Sequence, residues 1–139
     1  MATTRNARSH WEGSLMEGKG SVELSSSGVG TWPITWAARS DKADGKTSPE
    51  ELIAAAHAAC FSMALSHGLA TSGHTATSIN TSVEVDFQPG EGITAIRITV
   101  SGQADTLDAA GFASAAEDAK ANCPVSKALA AVPITLSVV

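Results

Sequence analysis

The chain contains two cysteines, Cys60 and Cys123, and each sits where a thiol can do chemistry. Cys60 falls in the middle of the least polar stretch, Leu52-Ile53-Ala54-Ala55-Ala56-His57-Ala58-Ala59-Cys60-Phe61-Ser62-Met63-Ala64-Leu65. Cys123 immediately precedes a proline in Ala121-Asn122-Cys123-Pro124-Val125-Ser126-Lys127. Two lone thiols far apart in sequence, without metal-type spacing, suggest a redox pair. The bland alternative is packing, since free cysteine is among the most buried residue types. A residue before proline is driven out of the helical region, so Cys123 should leave one helix and cap the next, with Pro124 at its first position. There a thiolate meets backbone N–H groups and the positive end of a helix dipole, both of which lower a thiol pKa.

Two charged residues could serve the thiols. Ser48-Pro49-Glu50-Glu51 reads as a helix start, with Ser48 as N-cap, Pro49 at the first position and Glu51 closing a capping box. Glu50 is left over; it either favours the first turn electrostatically or takes part in a site. Ten positions separate it from Cys60, about 15 Å along one helix, so the two cannot meet within it. If both serve one site, Glu50 must come from the antiparallel helix of a second subunit. Arg39 ends an extended run before the loop that feeds this helix. It is either a solvated surface arginine or the guanidinium that offsets desolvation of a buried thiolate.

Other motifs lead nowhere. His57 stands three residues before Cys60, where it could activate the thiol; we read it instead as a hydrogen-bonded helix histidine. His10, His67 and His74 have no ligand spacing, and two isolated cysteines do not make a zinc site, so no metal is expected. Asp44-Gly45-Lys46-Thr47 resembles the end of a phosphate loop, but Ser40 stands where its first glycine is required. There is no C-x-x-C and no G-x-S-x-G.

The elements that must position these residues follow from pattern. Strands are predicted at 7–16 and 21–27 around the Glu17-Gly18-Lys19-Gly20 turn, and a third extended run at 30–39, with Pro33 at an edge or irregular position. The helix from Ser48 to about Ser66 is apolar around most of its circumference, which implies burial on most sides. A small single domain cannot supply that, so a partner subunit is expected to cover one face. Strands at 77–88 and 92–102 flank the Pro89-Gly90-Glu91 hairpin. A second helix at 107–122 carries Phe112, Ala116, Ala119 and Cys123 on one stripe. A helical turn at 124–131 and a strand at 134–139 close a single α+β domain over 1–139, an antiparallel sheet with one long buried helix.

At 139 residues the chain is one domain of ordinary size. A net charge of -5, with scattered basic residues, argues against nucleic acid or an anionic membrane as partner. Leu52 to Ala70 lacks formal charge, but it is built on alanine and interrupted by His57, Ser62, Ser66, His67 and Gly68, so a buried helix is the better reading than a membrane span. No apolar h-region follows the N-terminus, so no secretory signal is expected. The expected compartment is the cytoplasm, where a static disulfide does not persist.

Residues 47–66, Thr47-Ser48-Pro49-Glu50-Glu51 through Ala56-His57-Ala58-Ala59-Cys60-Phe61-Ser62-Met63-Ala64-Leu65-Ser66, closely resemble the signature helix of the OsmC/Ohr family, the osmotically inducible protein C and organic hydroperoxide resistance proteins. Asn122-Cys123-Pro124-Val125-Ser126-Lys127-Ala128-Leu129 resembles its second signature. The flanking strand groups also fit, and Ala-His-Ala-Ala-Cys looks more like the OsmC branch. The resemblance implies an OsmC-like fold, antiparallel sheets around a central helix, in an intertwined homodimer. It implies a bacterial thiol-dependent peroxidase that reduces organic hydroperoxides to alcohols in oxidative-stress defence. It makes Cys60 the peroxidatic cysteine, Cys123 the resolving one, Glu50 the catalytic acid position and Arg39 the arginine of the OsmC branch. No bound cofactor is implied; an external dithiol such as a dihydrolipoyl group would be the reductant. Apolar walls from Phe61, Met63 and neighbouring aromatics would favour alkyl hydroperoxides over hydrogen peroxide. Two other readings stand beside it: a peroxide-responsive redox sensor or binding protein without sustained turnover, and a structural dimer whose cysteines merely pack.

Overall fold

Turn chemistry sets up the N-terminal strands. The computed structural model describes residues 1–139 and separates into two units, Met1–Glu50 and Glu51–Val139. In the first, β1 (Arg8–Glu12), β2 (Lys19–Glu23) and β3 (Thr31–Ile34) form an antiparallel sheet in that order. Gly20 pairs with Trp11, and a Cβ there would press on the indole, so glycine lets the ring lie across the strand. The predicted third extended run to Arg39 stops early, at Ile34. Thr35 instead caps a short helix, α1 (Trp36–Ser40), its hydroxyl accepting from the Ala38 N–H at 3.1 Å. A threonine cap followed by two alanines outweighs the strand preference of Trp36. Arg39 therefore lies in the last turn of a helix rather than at a strand end. The following loop is tied back by the Thr47 N–H, which donates to the Pro33 carbonyl at 3.1 Å.

Helix α2 (Pro49–Thr71) begins at the predicted proline and continues about a turn beyond the predicted end. Its buried stripe is His57, Phe61, Leu65 and Leu69, spaced by four, while Ala55, Ala56, Ala59 and Met63 remain exposed. Within one chain it is thus covered on one side only, although it is apolar on both. It is the one helix long and apolar enough to cross a membrane by length and composition; here its stripe packs into the core of the second unit.

That core is built on β4 (Ala76–Gln88) and β5 (Gly92–Ala104), an antiparallel hairpin whose turn uses Gly90 and Gly92 at positive φ. Helix α3 (Ala109–Asn122) starts later than predicted because Asp108 caps it, accepting from the Gly111 N–H at 2.8 Å. Helix α4 (Pro124–Ala128) is a little shorter than predicted, and β6 (Ile134–Val138) ends the chain. Here the expectation of antiparallel sheets needs one correction: β6 pairs with β5 in parallel, giving the order β4-β5-β6. The cause is the connection, since α3 and α4 carry the chain back across the sheet before β6 enters, as a parallel neighbour requires. Phe61, Leu65, Leu69, Ile98, Val100, Phe112, Ala116, Ala119 and Cys123 form one buried cluster. Each large aliphatic or aromatic side chain so buried contributes about 1.5–3 kcal/mol.

Candidate active site

The helix junction works as the Cys-Pro pair predicts. Cys123 ends α3 and begins α4 with φ -57 and ψ 122, outside the helical region, and its N–H still bonds the Ala119 carbonyl at 2.8 Å. The same residue belongs to the apolar stripe of α3 and is 0% exposed. Its side chain makes no cap hydrogen bond of the kind serine or aspartate makes.

Cys60, on α2, and Cys123 are both free thiols, and the structure brings them together within the second unit. Burial disfavours a thiolate at either. At Cys60 burial dominates, and together with the neighbouring Cys123 thiol it pushes the pKa above the ordinary value despite the Val125 N–H. At Cys123 burial is outweighed by the Ser126 N–H, the Cys60 thiol, the Ser126 hydroxyl and the Val125 N–H, so its pKa is lowered. One backbone N–H, that of Val125, thus serves both sulfurs. In a single chain the charge favours Cys123 over Cys60.

Arg39 and Glu50 also meet, within the first unit. Glu50 Oε1 accepts from Arg39 Nη2 at 2.8 Å and from Nε at 3.0 Å, with Oε2 3.2 Å from Nε. Glu50 is 7% exposed while the Arg39 side chain is 32% exposed, so the carboxylate is the desolvated partner, and the two-atom grip fixes the plane of the guanidinium. Beside Arg39 opens a cavity of about 310 Å³ walled by Trp11, Leu15, Ile34, Trp36 and Pro49. An apolar wall with a guanidinium at its edge suits a ligand with a hydrocarbon body and a polar end.

Two parts of this arrangement escaped sequence reasoning. The sequence points to Phe61, Met63 and neighbouring aromatics as an apolar wall; in the structure Phe61 is 0% exposed inside the core, and Met63 is 71% exposed within one chain. The aromatic residues beside Arg39 are Trp11 and Trp36, and the only signal was that tryptophans cluster near the N-terminus. The second is Ser126, whose hydroxyl lies 2.7 Å from His57 Nε2 in a buried contact across 69 positions of sequence. The reading of His57 as a hydrogen-bonded helix histidine holds, but its partner could not have been named. No cluster of His, Cys, Asp and Glu able to hold a metal is present.

Known proteins share this arrangement of sequence and fold. A family model described as OsmC-like protein matches residues 41–137. Peroxiredoxin OsmC of Escherichia coli (strain K12) is 41% identical over 134 residues, covering 94% of this chain and 93% of that protein. The solved organic hydroperoxide resistance protein OsmC of Legionella pneumophila superimposes with a TM-score of 0.76 at 24% identity, covering 99% of this chain and 98% of that one. The organic hydroperoxide resistance protein OhrB of Bacillus subtilis gives 0.71 at 24% identity, covering 96% and 98%. The α+β architecture, with its two small sheets and central helix, is the one those structures have. With the family matched over most of its length and a relative at 41% identity across nearly all of it, the chain belongs to the OsmC-like protein family.

Proposed function

We propose that the chain is a thiol-dependent peroxidase that reduces organic hydroperoxides to alcohols through Cys60 and Cys123. Its enzyme class follows from the family and from a relative named as a peroxiredoxin. The substrate and the two-cysteine route are our reading, and the observation that carries them is that the only two thiols in the chain come together at one buried cluster, each acting on the other's ionisation. In this reading the Cys60 thiolate attacks the distal peroxide oxygen. The S–O bond forms as the O–O bond breaks; the alkoxide takes a proton and leaves as alcohol, and Cys60 becomes a sulfenic acid. The Cys123 thiolate then attacks that sulfur, forming the S–S bond and expelling hydroxide, which is protonated to water. An external dithiol, of which a dihydrolipoyl group is one example, opens the disulfide by exchange and leaves as its own disulfide. The cytoplasm, rich in such thiols, is the compartment this requires.

Cys60 needs help to ionise, because the single chain raises its pKa. A guanidinium beside the sulfur would reverse that shift and would stabilise charge developing on the peroxide oxygen. Arg39, oriented by Glu50, is the candidate. Glu50 and Cys60 lie ten positions apart on α2, so we assign the Arg39–Glu50 pair of one chain to the cysteines of a second copy. The exposed apolar residues Ala55, Ala56, Ala59 and Met63 on α2 support such a homodimer. The cavity beside Arg39 would take the hydrocarbon part of the peroxide.

Adding one equivalent of cumene hydroperoxide to reduced protein, then counting thiols and following turnover with dihydrolipoamide, tests this. Rapid loss of two thiols with sustained turnover is expected. Thiol loss without turnover would favour a sensor, and inert thiols would sink both readings. Cys60→Ser should consume no peroxide, and normal activity in that variant would falsify the assignment. Cys123→Ser should complete one turnover and then accumulate oxidised Cys60.

A further inference from the structure

One buried titratable group has no part in these steps. His57 is 0% exposed, one turn before Cys60 on α2, with its Nε2 2.7 Å from Ser126 Oγ. Ser126 is 6% exposed and is the third residue of α4, the position that faces back to the residue capping the helix, here Cys123. Its N–H and its hydroxyl both act on the Cys123 sulfur in favour of the thiolate.

The proton on His57 can be placed. Burial depresses its pKa, so the ring is neutral near neutral pH and carries one N–H. Nδ1 is buried and has no hydrogen-bond partner. A proton there would be an orphaned buried donor, which folded proteins rarely tolerate; a proton on Nε2 is used, and only a lone pair goes unpaired. His57 Nε2–H therefore donates to Ser126 Oγ. The serine oxygen, already accepting from the ring, keeps its own proton free to turn toward Cys123 at the start of the same helix.

We propose that His57 is a positioning residue for the disulfide-forming step, orienting the Ser126 hydroxyl so that Cys123 is held as the attacking thiolate. The proposal rests on the peroxidase reading for the identity of that step. The electron pair of the Cys123 sulfur becomes the S–S bond, the S–O bond of the Cys60 sulfenic acid breaks, and the departing hydroxide takes a proton from solvent. His57 keeps its proton throughout and touches neither reacting sulfur. Cys60, and His57 through Ser126, are the titratable groups that act on Cys123.

In single-turnover mixing with cumene hydroperoxide, Ser126→Ala and His57→Leu should slow disulfide closure roughly tenfold, the scale of one hydrogen bond to a charged group. The preceding consumption of peroxide should not slow. His57→Gln, which keeps an N–H at similar reach, should recover most of the closure rate. An equal loss in both steps, or a glutamine variant as slow as leucine, would reduce His57 to packing and overturn the proposal. A second readout needs no turnover: in Cys60→Ser protein the remaining thiolate titrates by its ultraviolet absorbance. Adding Ser126→Ala or His57→Leu should move that titration to higher pH, and adding His57→Gln should not; an unmoved titration overturns the proposal. Ser126→Ala, which removes a single oxygen, guards against misfolding of the histidine variants. If the unmodified protein forms no disulfide with peroxide, the peroxidase reading fails, while the titration still decides the role of His57.

Discussion

Arg39 gives Glu50 two of its nitrogens, and that grip distinguishes a positioned guanidinium from a merely positive charge. Lysine keeps the charge but cannot present a planar fork. Arg39→Lys should therefore lower the rate constant for peroxide attack about a hundredfold, the scale for removing one preorganised donor from a developing charge, while the thermal midpoint hardly moves. Stopped-flow consumption of cumene hydroperoxide measures this, and a rate within twofold of the unmodified protein would remove Arg39 from the site. At this scale the sequence was legible where local chemistry fixes a residue. The Cys-Pro junction, the proline-led helix start and the isolation of the two thiols all show in a few neighbouring letters. Ser126 and His57 were illegible as a pair because nothing local marks a contact across 69 positions.

Elements place those residues, and their limits explain the errors of reading. The run Thr31-Trp32-Pro33-Ile34-Thr35-Trp36 is rich in strand formers, yet Thr35 converts from strand residue to helix cap through one hydroxyl. Propensity averages over such a window and cannot see the bond. The parallel entry of β6 was hidden for another reason: alternation reports which face is buried, not the direction of the neighbouring strand. How tightly α3 sits on its sheet can be tested at Gly102 in β5. A Cβ there would lie 2.9 Å from the Phe112 ring and would also press on the backbone of β4 at Ser78. Gly102→Ala should destabilise the protein by about 1–3 kcal/mol, the range for overpacking a well-filled interior. Urea unfolding measures this, and an unchanged midpoint at unchanged slope would mean that the ring has room to withdraw.

For the whole molecule, the two units differ in what they bury. All the buried apolar side chains belong to the second, whereas Trp11, Leu15, Met16, Val29 and Trp32 of the first remain exposed. Such a surface is what a second copy would cover. If sites are shared between copies, a purified mixed dimer of Glu50→Ala and Cys60→Ser chains contains one complete site, joining Glu50 of one chain to Cys60 of the other. It should show about half the unmodified turnover, whereas either variant alone shows little. A folded mixed dimer without activity would place both residues in one chain. The distribution of aromatic residues has a practical consequence. All three tryptophans and no tyrosines lie in Met1–Glu50, and Trp11 and Trp36 wall the cavity beside Arg39, while both thiols lie in the other unit. The protein's tryptophan emission therefore originates wholly in the unit that holds the arginine, giving an optical channel for cavity occupancy with no tryptophan in the unit that holds the thiols.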